Sequence, residues 1–470
     1  MIDSKLLISP SSFIHAIGDI PNLSSMVLST DSRNLEEGSL FLALAGDNFD
    51  GFKFVESALK KGALGVIFEK KEGREEQVKR LAKAFPDRFF VIVENSLIYF
   101  QELAKIKTHN WLSEDSERKI IGITGSNGKT TYKEMLSWLL NAIYPGKVHY
   151  SKGNFNNHIG VPITLLKLRS DHKVAVVELG TNHPGEIQTL CEIAQPNTGI
   201  ITSIGSSHLE HFGSQEAVFK EKRSLFDYVR KNSGPESVFV LPSDDVFLKR
   251  LIDDYVLSFG FSDSAIKLEI EAEAAKVWLG KGQSPTLLKN NNILGDHNFS
   301  NLAGSFLMAS HLFPGNIDVL KKAAEAFKPP HNRGAWVRKH GKHYFLDAYN
   351  ANPSSMIKSL EGFIGFCHDK NISFDECLFV LGDMNELGNK SEEFHEEIGR
   401  FMLDKKITKT RFIGKFASSY QNGFLRRSSL FQSVEEFRPF WEEEQEKFKY
   451  FFIKASRSLQ LESLMDITFD

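Results

Sequence analysis

The sequence predicts an α/β protein of three domains, and three observations predict it. Short apolar runs rich in β-branched residues alternate with helical stretches along most of the chain. One of these runs feeds a glycine-rich turn that opens directly into a helix. The length, 470 residues, exceeds what one hydrophobic core usually organises. The divisions expected are 1–112, 113–328 and 329–470: a small α/β domain, a central domain with a mostly parallel sheet, and a C-terminal Rossmann-like α/β domain.

The elements follow in order. "SLFLALAG" (39–46) reads as a short strand ending in a turn, and "FKFVESALKKGALGVIFE" (52–69) as a helix, a glycine stop and a buried strand. "SEDSERK" (113–119) is polar and charged, a linker. "KIIGITG" is a β-branched strand, and "YKEMLSWLLNAI" (132–143) an amphipathic helix after it. "KVAVVELG" (173–180) and "NTGIITSIG" (197–205) are apolar runs of the kind found in parallel sheets. "NLAGSFLMASHLF" (301–313) reads as a helix closing this domain near "FKPPHNRG" (327–334). Beyond it "HYFLDAY" (343–349), "ECLFVLGD" (376–383), "TRFIG" (410–414) and "KYFFIKA" (449–455) are strand-like runs between helices.

Composition narrows the function classes. The formal net charge is −3, so neither nucleic acid nor an anionic membrane is an expected partner. No run approaches the ~18 apolar residues of a membrane span, and the N-terminus lacks a signal-peptide core. Cys191, Cys367 and Cys377 form no C-x-x-C, which argues against a zinc site or a disulfide framework and for a reducing cytoplasm.

"GITGSNGKTTYKEM" (122–135) carries the first chemistry. Gly125 and Gly128 let backbone N–H groups approach phosphate oxygens, and the helix from Thr130 offers its positive end. Lys129 would bridge phosphates, and Thr130 or Thr131 would place a hydroxyl on Mg²⁺. Ser126 and Asn127 complete the loop. The general phosphate-loop pattern wants a first glycine at 123, where this chain has Ile123. An ordinary glycine-rich turn is the bland alternative.

Other positions join it. Glu178 ends an apolar strand, where α/β sheets place ligands, and a carboxylate there suits Mg²⁺. His208 follows the next strand and could contact metal or phosphate. "GNFNNHIG" (153–160) offers Asn154, Asn156 and Asn157 as uncharged donors and acceptors; Asn182 lies in "GTNHPGEI". Asn298 and Asn301 share a face at a helix start. Ser32, Arg33, Asp50 and Gly51 are candidate ligand residues in the first domain, although turns and caps use the same types.

These motifs resemble the Mur ligase superfamily, whose ATP loop lacks the first glycine. The likeness runs through nearly the whole chain: "STDSRNLEEGSLFLALAGDNFDG" (29–51) resembles its UDP-sugar domain, "VVELGTNHPGEI" and "SSHLEHFGS" its ATPase domain, and "LDAYNANPSSM" (346–356), "VLGDMNELG" (380–388) and "FIKASRS" (452–458) its C-terminal domain. "DAYNANP" has Asn350 where other branches show His, the D-N-P-R of the diaminopimelate-adding branch is absent, and these features favour the branch that adds D-Ala–D-Ala.

The resemblance implies ATP and Mg²⁺ as cofactors, and UDP-MurNAc-tripeptide and D-Ala–D-Ala as substrates of a cytoplasmic monomer. It makes Lys129, Glu178, His208, Lys222 and Arg333 catalytic, with Thr130, Glu178, His208 and Lys222 about the metal. Lys222 matches "A-K-x-x-L-F" and would be carbamylated, with Lys220 a close competitor. His297, Asn298, Asn301, Arg333 and Asp347 fall to the nucleotide, and Asn350, Asn352 and Lys454 to the substrates. Arg333 is followed rather than preceded by glycine, and Ala455 stands where glycine is usual. The reaction implied passes through an acyl phosphate, which domain closure would shield from water. The rivals are another amide ligase of the superfamily, a P-loop kinase or switch, and a catalytically silent nucleotide binder.

Overall fold

A computed structural model describes residues 2–23, 25–46, 49–205, 209–262, 264–271, 273–279 and 284–465. Its contacts divide the chain into two compact units, one of residues 1–122, 146–180 and 186–197, the other of 123–145, 181–185 and 198–470.

The first unit holds a five-stranded sheet in the order Phe13–Ile17, Phe89–Val93, Gly65–Glu69, Leu40–Ala43, Leu28–Ser29. All neighbours are parallel except the first pair. Phe89–Val93 is buried along its whole length because helices cover both faces, which is why it reads as a continuous apolar run. One layer is Phe41, Ala43, Val66, Phe68, Phe90 and Ile92 packed on Val55, Ala58, Leu59, Val78 and Leu81. The helix Ser96–Ser113 starts where the Asn95 side chain accepts from the Ile98 N–H, and the expected linker then leads to the strand Lys119–Thr124. The same unit contains Val148–Tyr150 paired in parallel with Val174–Glu178.

In the second unit Thr198–Ile201, Phe239–Pro242, Val256–Gly260 and Ile266–Glu271 lie side by side in parallel. Two antiparallel strands, Ala274–Val277 and Thr286–Lys289, extend that sheet. Sequence periodicity does not mark them, since each is only four residues long. The helices include Lys129–Ile143, Gln215–Ser233, Asp296–Leu312 and Ile317–Ala326.

The same unit ends in a six-stranded sheet ordered Ala335–Lys339, Lys342–Asp347, Tyr450–Lys454, Cys377–Gly382, Thr410–Ile413, Ser429–Phe431. Its first two strands form a hairpin and the rest are parallel. Side chains alternate between two cores. Cys377, Phe379, Leu381, Phe345 and Phe452 enter one; Leu378, Val380, Tyr344, Leu346, Phe451 and Ile453 enter the other. That strict alternation is the strand period of two working with helices on both faces. Among the described residues no helix is long and apolar enough to cross a membrane.

Candidate functional site

The phosphate-loop candidate sits where its sequence order requires. The strand ends at Thr124 and the helix begins at Lys129, with Gly128 at φ 80° as its N-cap. Gly125 has φ 148°, and a Cβ there would lie 1.9 Å from Thr202 Oγ1. Both glycines are therefore demanded by backbone shape. The Lys129 ammonium folds back on the loop, donating to the carbonyls of Gly125 at 2.6 Å and Ser126 at 3.4 Å. Thr130 is buried in the first helical turn, while Thr131 is only partly covered. Asn301 comes within 3.1 Å of where a Gly128 Cβ would stand, so this asparagine packs directly on the loop.

A second segment braces the loop, one that sequence reasoning does not single out. Ser126 N–H donates to the Ser203 carbonyl at 2.8 Å and Asn127 N–H to Ser203 Oγ at 3.2 Å. Thr202 Oγ1 donates to the Asn127 carbonyl at 2.5 Å. The signal that could have found it is a Thr-Ser pair immediately after an apolar strand, a position where hydroxyls meet the mouth of the sheet.

Lys222 is 1% exposed, on the inner face of Gln215–Ser233, whereas Lys220 is on the outer face. Burial, with the Lys129 charge nearby, holds the Lys222 amine well below the usual lysine range; Glu221 opposes the shift. Glu221 itself is buried and turned to the segment 181–185. It accepts from Gly185 N–H at 2.7 Å and from Thr181 Oγ1 at 3.4 Å. Since the resembling pattern has alanine at this place, Glu221 is a feature of this chain that motif matching passes over. His208 lies outside the described residues.

Glu178 belongs to the first unit and is 1% exposed. Asn156 Nδ2 donates to its Oε1 at 2.8 Å, and its own N–H goes to Ser151 Oγ at 3.1 Å. The Asn-rich loop thus divides its labour. Asn156 supports Glu178, Asn157 Oδ1 accepts from the N–H groups of Ile159 and Gly160 at the next helix start, and Asn154 is exposed. Asn182 is exposed in the second unit.

In the terminal sheet Asp347 and Lys454 form a salt bridge at the strand ends, with Ser359 Oγ donating to Asp347 Oδ2 at 2.9 Å. Lys454 also donates to the Asn350 carbonyl at 3.1 Å. The Arg333 guanidinium lies over the Tyr349 ring, 3.7 Å from its centroid. Asn298 is buried and donates to the Leu294 carbonyl at 2.8 Å. Burial lowers the His297 imidazole to about 4, so it is neutral at physiological pH.

The first-domain candidates also have local partners. Arg33 pairs with Asp31 in solvent, and Lys61 holds the carbonyls of Ser32 and Arg33. Asp50 caps the turn at Phe52 N–H and bridges to Arg74. Gly51 is pressed against the backbone, since a Cβ would stand 2.6 Å from the Leu44 carbonyl oxygen.

The chain is similar to known proteins along most of its length. The Mur ligase middle domain matches residues 123–309, and the Mur ligase family catalytic domain matches 26–97. UDP-N-acetylmuramoyl-tripeptide–D-alanyl-D-alanine ligase of Bacillus subtilis is 30% identical over 453 residues, covering 93% of this chain and 92% of that protein. The enzyme of the same name from Rickettsia prowazekii is 30% identical, with 93% of each chain covered. Among solved structures, MurF from Acinetobacter baumannii superposes with TM-score 0.80 at 26% identity, covering 98% of this chain and 97% of that one. MurF ligase from Thermotoga maritima, in complex with ADP, gives TM-score 0.76 at 25% identity over 94% and 96% of the two chains. This chain belongs to the Mur ligase family.

Proposed function

We propose that this protein is an ATP-dependent ligase that joins D-Ala–D-Ala to UDP-MurNAc-tripeptide, in the synthesis of the peptidoglycan precursor. The reading is carried by relatives of that name that match 93% of this chain, joined to a strand–loop–helix with Lys129 already turned into the loop. It works as a cytoplasmic monomer with UDP-substrate, ATP-binding and ligase domains at 1–112, 113–328 and 329–470.

The tripeptide carboxylate attacks the γ-phosphorus of ATP; the P–O bond to ADP breaks and an acyl phosphate forms. The amine of D-Ala–D-Ala then attacks the acyl carbon, loses a proton, and expels phosphate as the amide forms. Bringing a carboxylate to a polyphosphate requires concentrated positive charge. Lys129 leaves the loop carbonyls for the phosphates, and Arg333 adds a second cation. Gly125, Ser126, Asn127, Gly128 and Thr131 line the phosphates with backbone and hydroxyl donors. His297, Asn298, Asn301 and Asp347 face the nucleoside side. Ser32, Arg33, Asp50 and Gly51 hold the UDP end, and Asn154, Asn156, Asn157, Asn182, Asn350 and Lys454 the sugar-peptide and dipeptide.

The donor set fits Mg²⁺. Thr130 in the second unit and Glu178 in the first each offer hard oxygen atoms, of the kind Mg²⁺ takes, at buried positions. When bound, Mg²⁺ neutralises charge on the phosphoryl oxygens. A buried Lys222 amine whose proton is held less tightly than an ordinary lysine's suits carbamylation: the deprotonated nitrogen attacks CO₂, an N–C bond forms and a proton leaves. The product is a carboxylate-like oxygen ligand, where an ammonium could not serve. His208 belongs to the same proposed set.

Phosphate release from Mg-ATP tests the function. It is expected only with UDP-MurNAc-tripeptide and D-Ala–D-Ala together, with a product heavier by the dipeptide. Release that depends on another amino acid or a folate would move the chain to another branch, and no turnover in bicarbonate buffer would leave a silent nucleotide binder.

A further inference from the structure

The phosphate loop is tied to the terminal sheet's first helix by one hydrogen bond. Asn352 Nδ2 donates to Asn127 Oδ1 at 2.6 Å, across 225 positions of sequence and within one compact unit. The amide orientation is fixed by chemistry. Asn352 Oδ1 accepts from Ser355 N–H at 2.9 Å, and Ser355 Oγ accepts in return from Asn352 N–H at 3.0 Å. The oxygen end being the helix cap, only the nitrogen end can face the loop. Both ends of this side chain are therefore engaged by the protein itself.

The helix that Asn352 caps, Pro353–Asp369, is rigidly seated. Met356, Leu360, Phe363, Ile364 and Cys367 pack it into the sheet's core. Its Ser359 holds Asp347, which in turn holds Lys454. On the other side, the Asn127 backbone is pinned by Ser203 and Thr202, so its side chain is the part left to link loop and helix. We propose that Asn352 is a positioning residue, acting through Asn127, that couples phosphate binding in the loop to the placement of the terminal sheet's first helix. It does so without touching substrate, and it takes the place of the substrate-seating role its motif suggests. The proposal rests on the phosphate-loop reading.

The hydrogen bonds form a continuous network, and a coupling measurement decides whether it is energetic. Asn352→Ser keeps a cap of equal rank but deletes the donor to Asn127. Asn127→Ala deletes the acceptor and leaves the cap untouched. Mg-ATP affinity is measured by calorimetry, without acceptor, for the wild type, both singles and the double. Each single is expected to weaken binding about 5- to 10-fold, within the usual range of coupling between sites. The double should be no weaker than the worse single, and the melting temperature of Asn352→Ser should be unchanged. Wild-type affinity in Asn127→Ala, or fold-changes that multiply in the double, would overturn the proposal. If Asn352→Ser fails to fold, Asn352→Thr, which also keeps a cap oxygen and lacks the amide donor, takes its place in the cycle. A wild-type chain that binds Mg-ATP but ligates nothing sinks the ligase reading and leaves this cycle readable; one that binds no nucleotide overturns both.

Discussion

Gly125→Ala is the substitution that tests the phosphate loop most directly. Gly125 has φ 148°, where strain costs an L-residue roughly 1–3 kcal/mol. The new methyl would sit 1.9 Å from Thr202 Oγ1, 3.0 Å from Thr202 N and 3.1 Å from Ser203 N. Thr202 can turn its hydroxyl away only by surrendering its bond to the Asn127 carbonyl, a loss of about 0.5–1.5 kcal/mol. The two backbone contacts remain tight, so the loop must also shift. The strain and the lost hydrogen bond come to about 1.5–4.5 kcal/mol, or about one to three decades of nucleotide affinity if the whole effect falls on the loop. Calorimetric titration with Mg-ATP, beside a thermal melt, is the assay. Gly205→Ala is the matched control: its Cβ would meet Ser126 Cβ at 3.5 Å and Asn127 Nδ2 at 3.7 Å, ordinary contacts, and affinity should hold. Wild-type affinity in Gly125→Ala would refute the argument that backbone shape makes this site.

Other outcomes follow from single features. The Tyr132 hydroxyl is buried without a hydrogen-bond partner, so Tyr132→Phe should raise unfolding free energy by about 1 kcal/mol in urea titration. Lys222→Ala should abolish ligation, and bicarbonate should not restore it, whereas wild-type turnover should fall when CO₂ is stripped from the buffer. His149 and His172 stack at 5.0 Å, and burial lowers each to about 4. The unfolded chain, near 6.5, then binds protons first as pH drops; the stability these neutral rings give is full above about pH 6.5 and lost toward pH 4. Urea midpoints measured from pH 7 to pH 4 should fall accordingly, and less so with both histidines replaced by Phe. All three cysteines are buried and in no disulfide, so an aromatic disulfide reagent should titrate none in the native protein and all of them in denaturant.

By itself, the sequence determined the alternating α/β order and the strand, glycine turn and helix that run from Lys119 to Ile143. Those signals are local. Strands such as Cys377–Gly382 and Phe89–Val93 are apolar throughout because both faces are covered, and Gly125 and Gly128 are dictated by backbone geometry at their own positions. The antiparallel pair Ala274–Val277 and Thr286–Lys289 was not legible, because half-buried strands of four residues are too short to show a period. Tertiary structure alone sets Lys220 and Lys222 apart, one exposed and the other buried. Both lie on one helix and in one motif, and only burial, which depends on what packs against that helix, separates them. Tertiary structure also decided what the asparagines do. Asn156 supports Glu178, Asn157 caps a helix, and Asn352 joins a cap to the phosphate loop. An amide's role is set by which donors and acceptors come within about 3 Å of it, and those partners come from distant parts of the chain.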